Sequence, residues 1–540
     1  QTRPLPPFAL ESREFMAEFL KQTGKTKKGR GRKDDGHQPA MLEAPEADLA
    51  WHVRAWGHWV LQRARADLER FYPTIDGKPT VAYLWARTVT CKNCRATLPL
   101  LKTLWLCRKE KKRFRLEIKP RADRSGVDFD VVEEPKVGGN AAQQRAHDRR
   151  VGQGTMSRSG AWCPVCGGPG TVAMTLEDIR AEGLAGRLGA QMTAVVVDGA
   201  KGKEYRLPTT VELRAAEEAA GCVEATFRDV PFGLPTEPLP TKEALGFRVP
   251  LYGFDQWYKL FTPRQLVALG TFVKHTRAAR DAMRAEGYPP EWVEAVGASL
   301  ALAFDRLASF SSANVRWKLD AEAVVDTFAR FALPILWDFA EAIPVGGHAG
   351  AYSLCFERIA TALDTLVGAR IDSEASSHAA SAVCPTVVSH PVEVVVTDPP
   401  YYDAIPYSDA MDFFYVWLRR TLSGLSPDID DAFREPLGPK WDHEKNDGEL
   451  IDDASRFGGD AEKSKAVYEE GMFRAFRACQ EALAPGGRTV VVFANKQPDA
   501  WEALVSSMIR AGFVVDASWP IQTEMGNRTR AQGSAALASS

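Results

Sequence analysis

Two groups of residues in this 540-residue sequence have the types and spacing that chemistry requires. The first is Asp398-Pro399-Pro400-Tyr401. A carboxylate and a fixed backbone carbonyl, here Asp398 and Pro399, can together accept both hydrogens of an exocyclic amino group. Tyr401 can stack on the flat ring that carries the amine, and Tyr402 and Asp403 stand next in line. Such a site needs no deprotonated nucleophile, because positioning and electrostatics can steer the amine's lone pair at an activated methyl group. The second group is Cys91-Lys92-Asn93-Cys94 with Cys163-Pro164-Val165-Cys166-Gly167. Each CxxC turn aims two thiolates at one point, and two such turns complete a tetrahedron around Zn²⁺. About 70 residues separate the pairs, more than a zinc ribbon usually has, so the strand-like runs Leu98 to Leu106, Arg113 to Ile118 and Val127 to Val132 are expected to fold them together.

The elements that must position Asp398 follow from local pattern. Val392 to Val396 is a β-branched run, long enough for a buried strand and too short for a helix. Two prolines end it in a rigid extended turn. After Pro406 the spacing of Met411, Phe414, Tyr415 and Leu418 predicts an amphipathic helix, with Ser408 as its N-cap. The acid thus lies at the carboxyl end of a strand, where open α/β sheets bind ligands. Downstream, Ala466 to Leu483 is expected to be a helix stopped by Pro485-Gly486-Gly487. A strand Thr489 to Phe493, ending at Ala494-Asn495-Lys496, a helix Trp501 to Ala511, a strand Phe513 to Val515 and a Trp519-Pro520 turn complete the order.

The motif and this order resemble amino-methylating, S-adenosylmethionine-dependent DNA methyltransferases. The run DPPYYDAIPYSDAMDFFYVWLRR, with the paired CxxC motifs upstream, is similar to the large bacterial and archaeal adenine-specific methylases with a zinc-ribbon insert, the DUF1156-containing family. The resemblance implies an α/β fold: a partial Rossmann-like class I methyltransferase sheet with a zinc-ribbon insert and a helical insert. It implies Asp398, Pro399, Pro400 and Tyr401 as catalytic residues and Cys91, Cys94, Cys163 and Cys166 as zinc ligands. Its cofactors are S-adenosylmethionine and Zn²⁺. Its substrate is the N6 amine of adenine in DNA, flipped from the duplex at a cost of roughly a few kcal/mol. Its setting is restriction-modification or phage defence, with partner proteins of such a system. Asp at the first motif position favours adenine, and cytosine N4 stays open. A zinc-dependent DNA-binding module with an incomplete methyltransferase domain is the alternative from another class. No strand is expected to run into an acidic, glycine-rich cofactor turn: Gly346-Gly347 follows a helical pattern and a proline, and Gly138-Gly139 lies in a polar stretch. The chain therefore reads as a fragment that starts after the first cofactor-binding strands, and its cofactor-binding residues are unassigned.

Length predicts several domains. The expected division is 1–46, a flexible basic segment; 47–80, a helix leading from the methyltransferase core; and 81–175, the zinc-ribbon-like insert. There follow 176–245, an α+β connector with a Pro-rich linker at Pro231 to Pro240; 246–375, a helical insert for target recognition, its helices including Ala321 to Phe339; and 385–540, the catalytic half. A net charge of −2 means that DNA contact must come from local patches. One candidate is Arg108, Lys109, Lys111, Lys112, Arg113 and Arg115, beside the ribbon; another is the basic run Lys21 to Arg32. Gln143 to Arg158 reads as a mobile polar loop, and His443 as an exposed residue in an acidic loop, 423–459, over the substrate. Nine cysteines, four in CxxC pairs, together with the lack of a signal peptide or membrane-spanning run, predict a cytoplasmic, metal-binding protein.

Overall fold

The computed structural model describes residues 2–11, 46–244, 246–328, 332–368, 376–378, 380–383, 391–403, 405–495 and 497–520. The run Lys21 to Arg32, Lys496 and everything after Pro520 lie outside the described residues. The fold is mixed α/β, with helices and several separate sheets.

Helix α1 (Leu49–Leu68) starts at Asp48, whose carboxylate accepts from the Trp51 amide at 2.9 Å, and it buries Trp56, Val60 and Leu68. Strand β1 (Thr80–Thr90) follows, with β2 (Thr97–Leu100) folding back on its far end. Strands β3 (Trp105–Arg108), β4 (Arg113–Pro120) and β5 (Val127–Glu133) form a separate antiparallel sheet. After α2 (Ala141–Val151) and α3 (Leu176–Leu184), the hairpin β6 (Gly189–Gly199) and β7 (Gly202–Arg206) returns to β1, and α4 (Thr210–Phe227) leads away. Helices α5 (Pro263–Ala285) and α6 (Pro290–Ser309) precede a small hairpin, β8 (Arg316–Lys318) and β9 (Ala323–Val325). Strand β10 (Asp338–Ala342) pairs with β1, giving the central antiparallel order β7-β6-β1-β10, and α7 (Tyr352–Gly368) follows.

Alternation along the central strands assigns the two faces. Tyr83, Val195 and Val197 face a core built with α1, α5, α6 and α7. Ala82, Leu84, Ala194 and Val196 face Leu106, Leu116 and Phe129 of the β3–β4–β5 sheet. The central sheet therefore joins strands from three of the expected segments, 81–175, 176–245 and 246–375. Between sheet and helices lies a fully buried ion pair: Arg264 bonds both Glu341 oxygens at 2.7 and 2.9 Å, and Trp85 Nε1 donates to the same carboxylate.

The last part holds β11 (Val392–Thr397), α8 (Tyr407–Leu422), α9 (Ala461–Ala482), β12 (Leu483–Val491) and α10 (Pro498–Arg510). Strands β11 and β12 are parallel, with Val396 opposite Val490. Helices α9 and α10 pack with Phe493 and Tyr402 in a small core of their own. The outer face of the pair carries Val394, Val396 and Val490, about half exposed or more. Parallel strands are ordinarily covered on both faces. Among the described residues this two-stranded pair is the only parallel sheet, and the larger sheet is antiparallel.

Several local expectations are corrected. Residues 141–151 are a helix, not a mobile loop: Asn140 and Gln143 form a capping box, while no apolar face exists to announce the helix. Ala321 to Phe339 contains β9 and the start of β10, not a helix, because pairing of β9 with β8 and of β10 with β1 overrides helix propensity. Phe513 to Val515 is not a strand, and Val514 is 89% exposed. Ser408 lies inside α8, whose N-cap position is Pro406. The Pro-rich stretch is no free linker: buried Arg420 bonds the carbonyls of Phe232, Gly233 and Leu234 and the Glu237 carboxylate. Gly346-Gly347 follows strand β10 and precedes α7.

Candidate active site and metal centre

The turn after β11 has a definite shape. The ladder ends as Val492 N donates to the Thr397 carbonyl at 2.8 Å. Pro399 and Pro400 have no N–H with which to close a turn of their own, so neighbours hold it. The Pro400 carbonyl accepts from Tyr468 Oη on α9 at 2.7 Å and from the Tyr402 amide at 3.0 Å. The Tyr401 carbonyl accepts from Asn495 Nδ2 at 3.0 Å, and the Tyr402 carbonyl from the Asp452 amide at 3.3 Å. Tyr402 adopts φ +59°, a left-handed conformation that costs a non-glycine residue about 1–2 kcal/mol. Its ring is buried edge-on against Tyr468, which helps to over-determine that conformation.

Asp398 is exposed and Pro399 half-buried, and the Asp398 carboxylate stands within hydrogen-bonding reach of the Tyr401 hydroxyl. The Tyr401 ring meets Phe493 edge-on, and Phe493 meets Trp501 likewise. Burial, and then the neighbouring Asp398, push the Tyr401 hydroxyl up to about 12, so it keeps its proton at neutral pH. Asp403 accepts from Gln497 Nε2 at 2.8 Å.

Helix α8 carries this turn into the helical core. Phe413, Val416 and Trp417 are fully buried there against Phe261 and Phe304, whereas Met411 is 40% exposed. The opposite side of α8 is polar. Asp412 bonds Lys440 Nζ at 2.7 Å and the Gly438 amide at 2.8 Å. Asp409 accepts from Arg456, which also pairs with Glu449, and Glu449 takes the Ser408 amide and hydroxyl. Burial pushes the Asp409 and Asp412 carboxyls up, against the pull of Arg456 and Lys440. These pairs lay residues 438–459 across the start of α8. His443 is exposed, as expected, with Nε2 at 3.1 Å from the Arg456 carbonyl.

The four cysteines come together. Their sulfurs all lie within 4.8 Å of one another, with Cys91–Cys166 at 3.8 Å and Cys94–Cys163 at 3.7 Å. Tetrahedral Zn–S bonds of about 2.3 Å put sulfurs about 3.8 Å apart, so this donor set fits a metal ion such as Zn²⁺. The first knuckle closes with Arg95 at φ +68° and its amide on the Cys91 carbonyl. The second closes with the Gly167 amide on the Cys163 carbonyl. The β3–β4–β5 sheet lies between the pairs in sequence, but Thr155 does the joining. Its buried hydroxyl donates to the Pro99 carbonyl at 2.6 Å and accepts from the Leu101 amide at 2.8 Å, tying β2 to the segment before Cys163. Cys107 packs in the apolar layer and is no ligand.

The basic run is largely spent on internal partners. Lys109 and Lys112 both pair with buried Glu322 in the β8–β9 turn, Arg113 with Asp148 of α2, and Arg115 with Glu134. Arg108 and Lys111 are exposed and lack an ion-pair partner among the described residues. Burial opposes ionisation of Glu322, but the two lysines and the Tyr205 hydroxyl hold its carboxyl at about 2. A depressed carboxyl contributes stability above its unfolded value, near 4.5, and loses it as pH falls towards 2. Glu322→Gln is therefore expected to destabilise the protein at neutral pH and to flatten its acid unfolding curve between about pH 4.5 and 2. Fluorescence-monitored unfolding of both proteins across that range checks this; parallel curves would contradict it.

The glycine turn joins β10 to α7, so a strand and not a helix runs into it. Gly346 N bonds the Ile343 carbonyl, Ala351 N the His348 carbonyl and Tyr352 N the Pro344 carbonyl, while His348 pairs with Asp198. Among the described residues no helix is long and apolar enough to cross a membrane. No family model, curated protein or solved structure matches this chain. Tyr468 and Asn495 are the contributors that sequence reasoning missed. The only local signal was an asparagine at the end of a β-branched strand.

Proposed function

We propose that this chain carries the catalytic turn of an S-adenosylmethionine-dependent DNA amino-methyltransferase acting on the N6 of adenine. The observation that carries this reading is the rigid turn at the carboxyl end of β11, which leaves the Asp398 carboxylate and Pro399 carbonyl as acceptors beside the Tyr401 ring. A flipped base stacked on Tyr401 would give its two amine hydrogens to these oxygens, fixing the lone pair away from them. S-adenosylmethionine, when bound, supplies a methyl group made electrophilic by its sulfonium. Asp398 and Pro399 orient the amine, and the Asp398 carboxylate, exposed to solvent, provides the route for the proton that the methylated amine releases.

In this reading the cysteine cluster holds Zn²⁺ as a structural ion, Arg108 and Lys111 touch the DNA backbone, and the protein works in the reducing cytoplasm. The defence setting and its partner proteins rest on the sequence resemblance alone. The binding-module alternative is favoured by one observation, the bare apolar face of the β11–β12 pair. Calorimetric titration of the chain with S-adenosylmethionine separates the two. Saturable binding is expected, and DNA binding without cofactor binding would sink the enzyme reading.

A further inference from the structure

Resting on the methyltransferase reading, the geometry points to Asn495 and Tyr468 as the positioning residues that aim Asp398 and the Pro399 carbonyl at the substrate amine. Neither touches the proposed substrate; both act on the backbone of the turn. Tyr468, 1% exposed on α9, donates to the Pro400 carbonyl, and Asn495, just beyond β12, donates to the next carbonyl along. The orientation of the Asn495 amide is fixed by its other bonds. Its Oδ1 accepts from the Gln497 amide at 3.0 Å, so Nδ2 must be the atom facing Tyr401 O. Its own carbonyl accepts from Trp501 Nε1 at 2.8 Å, which anchors the residue to α10. Two donors from different elements therefore hold two consecutive carbonyls of a turn that contains a left-handed tyrosine and two residues without N–H groups. Without them the Pro400 carbonyl keeps only the Tyr402 amide and the Tyr401 carbonyl loses its Asn495 donor, so both peptide planes are held less firmly, and the Pro399 carbonyl with them.

Tyr468→Phe removes one hydroxyl and leaves the ring in its core. Asn495→Asp keeps the size and the bond from Gln497 but turns a donor into an acceptor facing a carbonyl. A displacement of about 1 Å at a reacting centre can cost about 100-fold in rate. Each variant is expected to lose about 10- to 100-fold in kcat. The KM for S-adenosylmethionine should stay within about twofold, and the melting temperature close to that of the parent. A merely structural role would lower stability or raise KM without that split. The assay is labelled methyl transfer to DNA by the parent, the two variants and Asp398→Ala. If the parent transfers methyl and both variants match its kcat, or lose activity only in step with lost stability, the positioning role is overturned and the enzyme reading stands. If the parent transfers none, the reading falls and this assignment falls with it.

Discussion

Replacing Cys163 and Cys166 together by serine is expected to remove one bound metal ion per chain and to unfold the region around the cluster. The packing there is thin. Val89, Leu98, Leu100, Ala161, Met174 and Ile179 surround the sulfurs, and the adjoining Gly160–Ala161 ladder is two residues long. Structural zinc in small domains is worth about 10–16 kcal/mol in apparent binding free energy, far more than such a core can replace. The damage should spread, because Cys91 directly follows β1, the strand shared by β6, β10 and β2. Elemental analysis should find Zn²⁺ in the parent and none in the variant, and far-UV circular dichroism should show an early melting step in the variant. A metal-free parent with an unchanged melt would contradict the assignment.

The second large effect concerns the buried pair between α5 and the central sheet. Arg264→Met is expected to cost about 3–5 kcal/mol, because it leaves the Glu341 carboxylate buried with only Trp85 donating to it. With an unfolding entropy of about 2.1 cal/mol/K per residue, that lowers the melting temperature of a 540-residue protein by roughly 3–4 °C. Adding Glu341→Met should recover most of the loss, since the penalty lies in the uncompensated charge rather than in the missing attraction. Differential scanning calorimetry on the two single variants and the double decides it. A double variant as unstable as the sum of the singles would show that the pair is not coupled as described.

The parts legible in the sequence were those whose signals are local. A β-branched run ended by two prolines announced β11 and its turn, and two CxxC pairs announced the cysteine cluster even across a long insertion. What stayed hidden depends on partners far along the chain. The lysines at 109 and 112 looked free because Glu322 lies more than 200 positions away. Helix α2 was missed because polar contacts, from Asp148 to Arg113 and from His147 to Glu134, hold it in place of an apolar face. Strand β10 was hidden by helix-forming residues, Ala340, Glu341 and Ala342, that β1 recruits into a sheet. Along α8 the expected apolar stripe was offset, because Asp409, Asp412 and Arg420 are buried by charge pairing and leave Met411 outside.

These buried charges bear on the site as well as on the fold. Arg420 locks the 232–237 segment to α8, and Lys440 and Arg456 lock the 438–459 loop to its other side. The turn at Asp398 is thus continuous with a helix that cannot shift without breaking both sets of bonds. Rigidity of this kind suits a reaction in which orientation supplies most of the rate.

The most direct test is transfer of labelled methyl from S-adenosylmethionine to unmethylated DNA, followed by digestion of the product to nucleosides. It should be run on the chain and on its Asp398→Ala variant. N6-methyladenine from the parent and none from Asp398→Ala is the predicted result, and N4-methylcytosine would move the substrate while keeping the chemistry. Absence of methylated nucleoside from every DNA tried, with parent and Asp398→Ala indistinguishable, would contradict the account.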